Sequence, residues 1–239
     1  MNVSVVLPTY NERQNVGVII PWIFRVFGVC GIRGKVIVVD DNSPDGTSEE
    51  VERLSSEYDI LLIKRKEKLG LGSAYIAGFR EALKCSDVVF EMDADLSHSP
   101  EEIPNFLEAL AGCDVVLGSR YVPFGRIENW SLDRVVISRA GNLIAQQLLR
   151  LRIKDITTGY RAYKTQVLEG IDLDLINSNG YAFQAELLYH ISGKGFHITE
   201  IPIVFRDRKY GESKLSKKEI ASFVGLCLSI FFRGLKRSR

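Results

Sequence analysis

A chain of 239 residues with 46% apolar and 26% charged residues has the composition of an ordinary soluble globular protein, long enough to bury a sizeable core. Neither a low-complexity segment nor an internal repeat appears, and the chain reads as one large domain or one domain with a tail. The net charge of +1 is uneven: from Arg206 onward ten Lys/Arg face three Asp/Glu, leaving 21 against 27 in the rest. That basic end is not interleaved with stacking aromatics, so it points to a phosphate-bearing substrate or a membrane surface rather than to nucleic acid. Cys30, Cys85, Cys113 and Cys227 show no CxxC or His-paired spacing, which predicts reduced, buried thiols in a cytosolic protein. The amino terminus runs directly into an apolar strand pattern, so no signal peptide is expected.

In chain order, the apolar run Val3–Leu7 predicts a strand, and Asn15–Phe27 carries apolar residues at helical spacing. Lys35–Val39 predicts a strand, Thr47–Tyr58 a helix capped by Thr47, and Ile60–Lys64 a strand. Ser73–Leu83 follows as a helix, Val88–Met92 as a strand, Glu101–Leu110 as a helix and Asp114–Leu117 as a strand. Continuous Val/Ile/Leu strands between amphipathic helices predict a parallel sheet covered on both faces. The second half is less regular. It predicts a long helix over 131–150, with Val135, Val136, Ile144, Leu148 and Leu149 apolar, then a helix over Phe183–Ser192 and a strand over Phe196–Phe205. A basic loop over 206–214 comes next.

Sheets of this kind bind ligands beyond the carboxyl ends of their strands. Polar clusters lie at four such ends: Pro8–Glu12, Asp40–Gly46, Asp93–His98 and Gly118–Tyr121. The third reads Asp93-Ala94-Asp95-Leu96-Ser97-His98. Alternation along a strand lets positions 93 and 95 point the same way, and two like charges so close repel unless a cation lies between them. A hard divalent ion, which takes few protein oxygens and fills its shell with water or phosphate, is one reading. A solvated turn with Asp95 or Ser97 capping a helix that starts near Pro100 is the other. Of the three histidines, His190 and His197 read as structural, and His98 stands beside the acidic pair.

The runs Val-Val-Leu-Pro-Thr-Tyr-Asn-Glu, Val-Asp-Asp-Asn-Ser-Pro-Asp-Gly-Thr, Asp-Ala-Asp-Leu-Ser-His and Gly-Ser-Arg-Tyr, in this order, closely resemble the family-2 glycosyltransferases. The later segments starting at Asp155, Gly180 and Tyr210 fit the polyprenyl-phosphate (dolichyl-phosphate) sugar synthases within that family, mannose synthases among them. The resemblance runs to about residue 216. It implies an α/β fold of GT-A type: a single nucleotide-binding domain over 1–216 with a Rossmann-like mixed sheet flanked by helices. The implied reaction moves mannose from GDP-mannose to the phosphate of a polyprenyl lipid, with UDP-glucose or another sugar nucleotide as the nearest alternative donor. A nucleotidyltransferase fits less well, because Pro8–Glu12 lacks a Gly-rich, Lys/Arg-bearing loop. A non-catalytic nucleotide-sugar binder would not need the acidic pair and the arginines.

The resemblance also assigns residues. Pro8, Tyr10, Glu12 and Asp41 match positions that hold the nucleoside, with Asp93 and Ala94 beside the sugar nucleotide. Asp93 and Asp95 match the pair that holds Mg²⁺ or Mn²⁺ on the diphosphate, and Ser97 stands where some relatives carry a Gln ligand, so its shorter oxygen reaches the ion directly or through a water. Arg208 and Lys214 match basic residues that close over the donor diphosphate; Arg120, Arg134 and Ser138 match the acceptor-phosphate positions. Asp95, Arg120 and Arg208 are the implied catalytic set, and Gln184 and Glu186 belong either to the cleft or to a plain helix face. Glycosyl transfer builds negative charge on the leaving group, which a divalent ion and basic side chains offset. A phosphate acceptor is already dianionic near neutrality, with a second pKa of about 6, and needs no general base. Family-2 enzymes generally invert, so an α-linked donor would give a β-linked product.

Residues 217–239 carry an apolar stretch, Ile220–Phe232, between basic flanks. It is shorter than the roughly 20 residues that span a bilayer. It predicts an amphipathic helix lying on an anionic leaflet or, alternatively, docked on the body or on a second copy. Many relatives carry transmembrane helices here, so a membrane-anchoring subunit or homodimer is a candidate partner, and the expected location is the cytoplasmic face of a membrane, held peripherally.

Overall fold

The computed structural model describes residues 1–207 and 217–237. Strand β1 (Asn2–Thr9) leads into helix α1 (Arg13–Cys30), then β2 (Arg33–Asp40), α2 (Thr47–Leu54), β3 (Ile60–Lys64), α3 (Leu71–Ala82) and β4 (Val88–Glu91). A 3₁₀ turn over Pro100–Glu102 precedes α4 (Ile103–Ala109), β5 (Val115–Ser119), β6 (Arg126–Glu128) and α5 (Leu132–Leu149). The chain continues with β7 (Arg161–Lys164), α6 (Thr165–Glu169), α7 (Gly180–Gly193), β8 (Ile198–Pro202), β9 (Val204–Arg206) and α8 (Lys217–Arg237).

Seven strands form one sheet in the order β3-β2-β1-β4-β7-β5-β8, and β6 pairs with β9 in a second, two-stranded sheet. The first four strands are parallel, and the apolar runs of β1, β2 and β4 are largely buried, as strands covered on both faces require. The period of two sends Val3, Val5 and Leu7 to one core, where Val16, Ile19, Ile20 and Ile23 of α1 meet them at helical spacing. It sends Val6, Ile37, Val39 and Val89 to the other, against α3 and α7. The mixed α/β domain is therefore present.

Several local readings are corrected. The sheet is not parallel throughout: β7, which no apolar run announced, is antiparallel to both β4 and β5. The strand expected over 196–205 is two strands, and β9 leaves for the small sheet. Thr47 does not cap α2; Gly46 holds that position, and the Thr47 hydroxyl instead accepts from the Glu12 amide at 3.0 Å, tying α2 to the β1–α1 turn. The cap before Pro100 is neither Asp95 nor Ser97 but Ser99, whose hydroxyl accepts from the Glu101 amide. Cys113 and Cys227 are buried, but Cys30 and Cys85 are exposed; all four are free thiols.

Candidate active site

The strand ends at 8–12, 40–46 and 93–98 meet along the carboxyl edge of β1, β2 and β4. They wall a cavity of about 540 Å³ that Lys68–Leu71, Thr157, Gly159, Tyr181 and Gln184 complete. Pro8, Tyr10, Glu12, Asp41, Asp93, Ala94 and Asp95 all line it. Asn11 and Asn42 take the left-handed conformation just after β1 and β2, which Asn tolerates and which turns the chain sharply at the sheet edge.

Asp40 and Asp41, adjacent in sequence, have separate jobs. The Asp40 carboxylate is consumed by the loop, accepting from Thr9, from the Ser43 amide and hydroxyl, and from Ser48 at 2.6–2.9 Å. Asp41 faces the cavity, where Arg65 pairs with it and the Gly70 amide donates to its Oδ2 at 2.9 Å. Gly70 sits at φ +96°, a conformation other residues adopt only under strain, so the loop that presents this amide is specific to glycine. Lys68 Nζ lies 3.6 Å from the centroid of the Tyr10 ring, and Asn15 donates to Glu12 at 2.6 Å.

The acidic loop is held from behind. His98 is buried and its Nδ1 accepts from the Asp93 amide at 3.1 Å; burial lowers its pKa, which suits an accepting, neutral ring. That nitrogen is thus committed to the backbone rather than to a ligand. Leu96 sits at φ +66°, unusual for a branched residue, and this turns the Ser97 amide back onto Asp95 Oδ1 at 3.0 Å. Tyr75 Oη donates to Asp93 Oδ1 at 3.1 Å. The donor set fits a hard divalent ion: two carboxylates from positions 93 and 95, and a Ser97 hydroxyl that is buried with no hydrogen-bond partner among the described residues. Among those residues no group of three His, Cys, Asp or Glu side chains could hold a metal.

Two further charges lie beneath the cavity. Glu91 is fully buried, and burial pushes its pKa up to about 7 against the pull of Arg161 and of hydrogen bonds from Gln184 and Tyr163. Arg120 is buried in a two-pronged pair with Asp155, Nε to Oδ2 at 2.7 Å and Nη2 to Oδ1 at 2.6 Å, and also donates to Thr157 at 2.9 Å. Burial alone would lower the Arg120 pKa; the Asp155 charge and hydrogen bonds outweigh it and raise the pKa. Arg120 is not among the residues that wall the cavity. It stands one layer behind, with Thr157 between.

A second cavity of about 240 Å³ shares Thr157 and Tyr181 with the first and is apolar. Ile137, Gly141 and Ile144 of α5 form one side, and Ile220, Phe223 and Val224 of α8 the other. Arg134 and Ser138 line it. Ser138 accepts from Tyr121 Oη at 2.7 Å; Arg134 donates to Asp207 at 3.0 Å and lies 3.9 Å over the Trp130 ring. Trp130 Nε1 and Arg134 Nε are buried donors with no acceptor among the described residues. Helix α8 buries Phe223, Cys227 and Ile230 in the core shared with α7, while Phe232 stays exposed. Helix α5 exposes Leu132 (85%) and Val136 (64%), together with Ile137, Leu143 and Ile144. Among the described residues no helix is long and apolar enough to cross a membrane.

Of the residues assigned from sequence, Arg208 and Lys214 lie outside the described residues. Gln184 belongs to the cavity wall; Glu186 instead accepts from the Asn177 and Ser178 amides. Sequence reading missed Arg65, Lys68, Gly70, Thr157 and Tyr181. It also missed Glu91, although Glu91 precedes Asp93 by two in the same alternation.

The family model described as glycosyl transferase family 2 matches residues 4–172. The chain is 44% identical over 220 residues to the polyprenol monophosphomannose synthase of Mycolicibacterium smegmatis, covering 90% of this chain and 82% of that one. It is 44% identical over 218 residues to the undecaprenyl-phosphate mannosyltransferase of Micrococcus luteus, covering 90% and 88%. A crystal structure of glucosyl-3-phosphoglycerate synthase from Mycobacterium tuberculosis, in complex with Mn²⁺, uridine diphosphate and phosphoglyceric acid, superposes with a TM-score of 0.68. It is 21% identical and covers 95% of this chain and 78% of that one, a likeness of fold.

Proposed function

The chain belongs to glycosyl transferase family 2 and is a glycosyltransferase, and we propose that it moves mannose from GDP-mannose to a polyprenyl phosphate with inversion. The observation that carries this reading is the junction of the two cavities. A polar, acid-lined cleft shares the wall residues Thr157 and Tyr181 with an apolar slot, and the slot carries two buried N–H groups without acceptors among the described residues. One side suits a nucleotide sugar, the other an anion that trails a hydrocarbon chain. The names of the two 44% identical relatives support mannose as the sugar and a polyprenyl phosphate as the acceptor.

In this reading Tyr10, Glu12 and Asp41 bind the nucleoside, and Asp93 and Asp95, with Ser97, would hold Mg²⁺ or Mn²⁺. Such an ion, when bound, offsets the charge that grows on the leaving diphosphate. Arg208 and Lys214 add cationic stabilisation from the basic segment. Arg134 and the Trp130 N–H receive the acceptor phosphate, and Ser138 adds a hydroxyl beside them. Arg120, paired with Asp155, contributes through the wall it fixes at Thr157. No side chain has to remove a proton, because the phosphate nucleophile is already charged; orientation is what the site must supply. The exposed apolar ridge of α5 and the helix over 217–237 lie against the membrane that carries the lipid, so residues 217–239 act as a surface element on the 1–216 domain. The location is then the cytoplasmic face of a membrane, held peripherally, with a membrane subunit or second copy as partner.

The test is a transfer assay with GDP-mannose and with UDP-glucose, each with a polyprenyl phosphate, with and without Mn²⁺ or Mg²⁺. Metal-dependent mannosyl transfer is expected. Transfer only from UDP-glucose would replace the donor, and transfer from neither with metal present would sink the reading.

A further inference from the structure

Glu91 plays no part in the reaction just described, yet it ends β4 two residues before Asp93, fully buried. A carboxylate so placed needs partners, and both its oxygens have one. Tyr163 Oη donates to Oε2 at 2.7 Å, and Gln184 Nε2 donates to Oε1. Arg161, also fully buried, donates at 3.1 Å to the backbone carbonyl of Gln184 and at 2.7–2.8 Å to those of Ile156 and Thr158, which clamps the same turn of α7.

The amide of Gln184 has a donor end and an acceptor end, and only its neighbours decide which way it turns. With Nε2 given to Glu91, Oε1 points away from it. That oxygen is buried and accepts nothing among the described residues, and Gln184 forms part of the wall of the larger cavity. A β-carbon built on Gly159 would lie 3.4 Å from Asp93 Oδ2 and 3.6 Å from Gln184 Nε2, so the amide and the carboxylate border one region of the cavity floor. The N–H end of the amide borders Asp93, and its unpartnered oxygen, on a residue of the cavity wall, suits a hydroxyl rather than a phosphate oxygen.

We propose that Glu91 is a positioning residue that fixes the rotation of the Gln184 amide, so that Gln184 Oε1 accepts a hydrogen bond from a hydroxyl of the donor sugar. The proposal rests on the donor being a nucleotide sugar. Glu91→Gln replaces a carboxylate that can only accept with an amide that can turn either end towards Gln184, so the rotation of the Gln184 amide is no longer fixed.

The experiment titrates wild type, Glu91→Gln, Gln184→Met and the double variant with GDP and with GDP-mannose in the presence of Mn²⁺, by calorimetry, with a thermal melt of each. Glu91→Gln is expected to weaken GDP-mannose about 10-fold and GDP less than about twofold, the loss of a single hydrogen bond to the sugar. Gln184→Met should do the same, and on that background Glu91→Gln should add nothing. In turnover the donor KM rises more than kcat falls. Equal weakening of GDP and GDP-mannose overturns the proposal, as does a further 10-fold loss from Glu91→Gln on the Gln184→Met background. If Glu91→Gln does not fold, Gln184→Met alone decides, and an unchanged preference for the sugar nucleotide in that variant overturns the assignment. Wild-type protein that binds GDP but not GDP-mannose refutes both readings. A wild type that transfers mannose while Glu91→Gln keeps its donor KM refutes this one alone.

Discussion

The two cavities are built by opposite means. The larger stands on the ends of β1, β2 and β4, central strands whose backbones are paired on both sides, and its acidic groups are tied down by Arg65, Gly70, His98 and Tyr75. The smaller is a gap between two helices, α5 and α8, with few polar contacts and an exposed apolar ridge beside it. A charged diphosphate needs fixed dipoles and a defined geometry, which sheet edges supply. A hydrocarbon chain needs only shape and dryness, which helices that shift against each other can supply. Polar ties are concentrated at the acidic cleft.

This contrast can be broken from either side, starting with the largest effect. Asp95→Ala should lower mannosyl transfer at least about 10³-fold while leaving the melt of the metal-free protein close to wild type; near-normal turnover would remove the acidic pair from the chemistry. Asp155→Asn leaves the Arg120 charge buried with only a neutral partner and should lower stability by about 3 kcal/mol, read as a denaturant midpoint. Glu91 gives a pH signature in metal-free protein. Its folded pKa of about 7 lies above the usual 4.5, so the stability it contributes is complete below about pH 4.5 and is lost as pH rises through 7. Glu91→Gln should therefore gain on wild type by about 2 kcal/mol between pH 5 and pH 8, and a flat difference would refute the raised pKa. On the apolar side, Gly141→Leu has room for its Cβ, which meets only Phe223 at 3.8 Å, but its branches fill the slot. We expect about a 10-fold rise in KM for a long-chain polyprenyl phosphate and no change for GDP-mannose; an equal rise for both would merge the two cavities into one function. Smallest of all, Leu132→Glu should weaken binding to anionic vesicles about threefold and leave the melt unchanged, since Leu132 is 85% exposed. Unaltered partitioning would take the α5 ridge off the membrane.

The same contrast explains what could be read from sequence. The parallel half was legible because apolar strands, amphipathic helices and polar strand ends each leave a local pattern, and the acidic loop sat at the end of one. Strand β7 was not. Its four residues, Arg-Ala-Tyr-Lys, look like surface, and Arg161 is fully buried with its guanidinium satisfied by three backbone carbonyls, two from the loop just before it and one from α7. Glu91 hid for a similar reason: its burial depends on Tyr163 of β7 and Gln184 of α7, neither close in the chain. The helix over 131–150 was expected, but not which of its apolar residues would face out; Leu149 packs inward while Val136 does not. Periodicity fixes spacing around a helix axis, and only the neighbours decide what is covered.

One short stretch touches almost everything described. Between residues 155 and 161 the chain supplies the partner of Arg120, the shared wall at Thr157, the open floor at Gly159 and the anchor Arg161. It acts as a gauge block set between two workpieces: in the proposed reaction, this one segment sets how far the sugar donor stands from the acceptor. Lengthening it by a residue would leave each substrate its own seat and spoil the distance between them, so both would still bind and seldom meet.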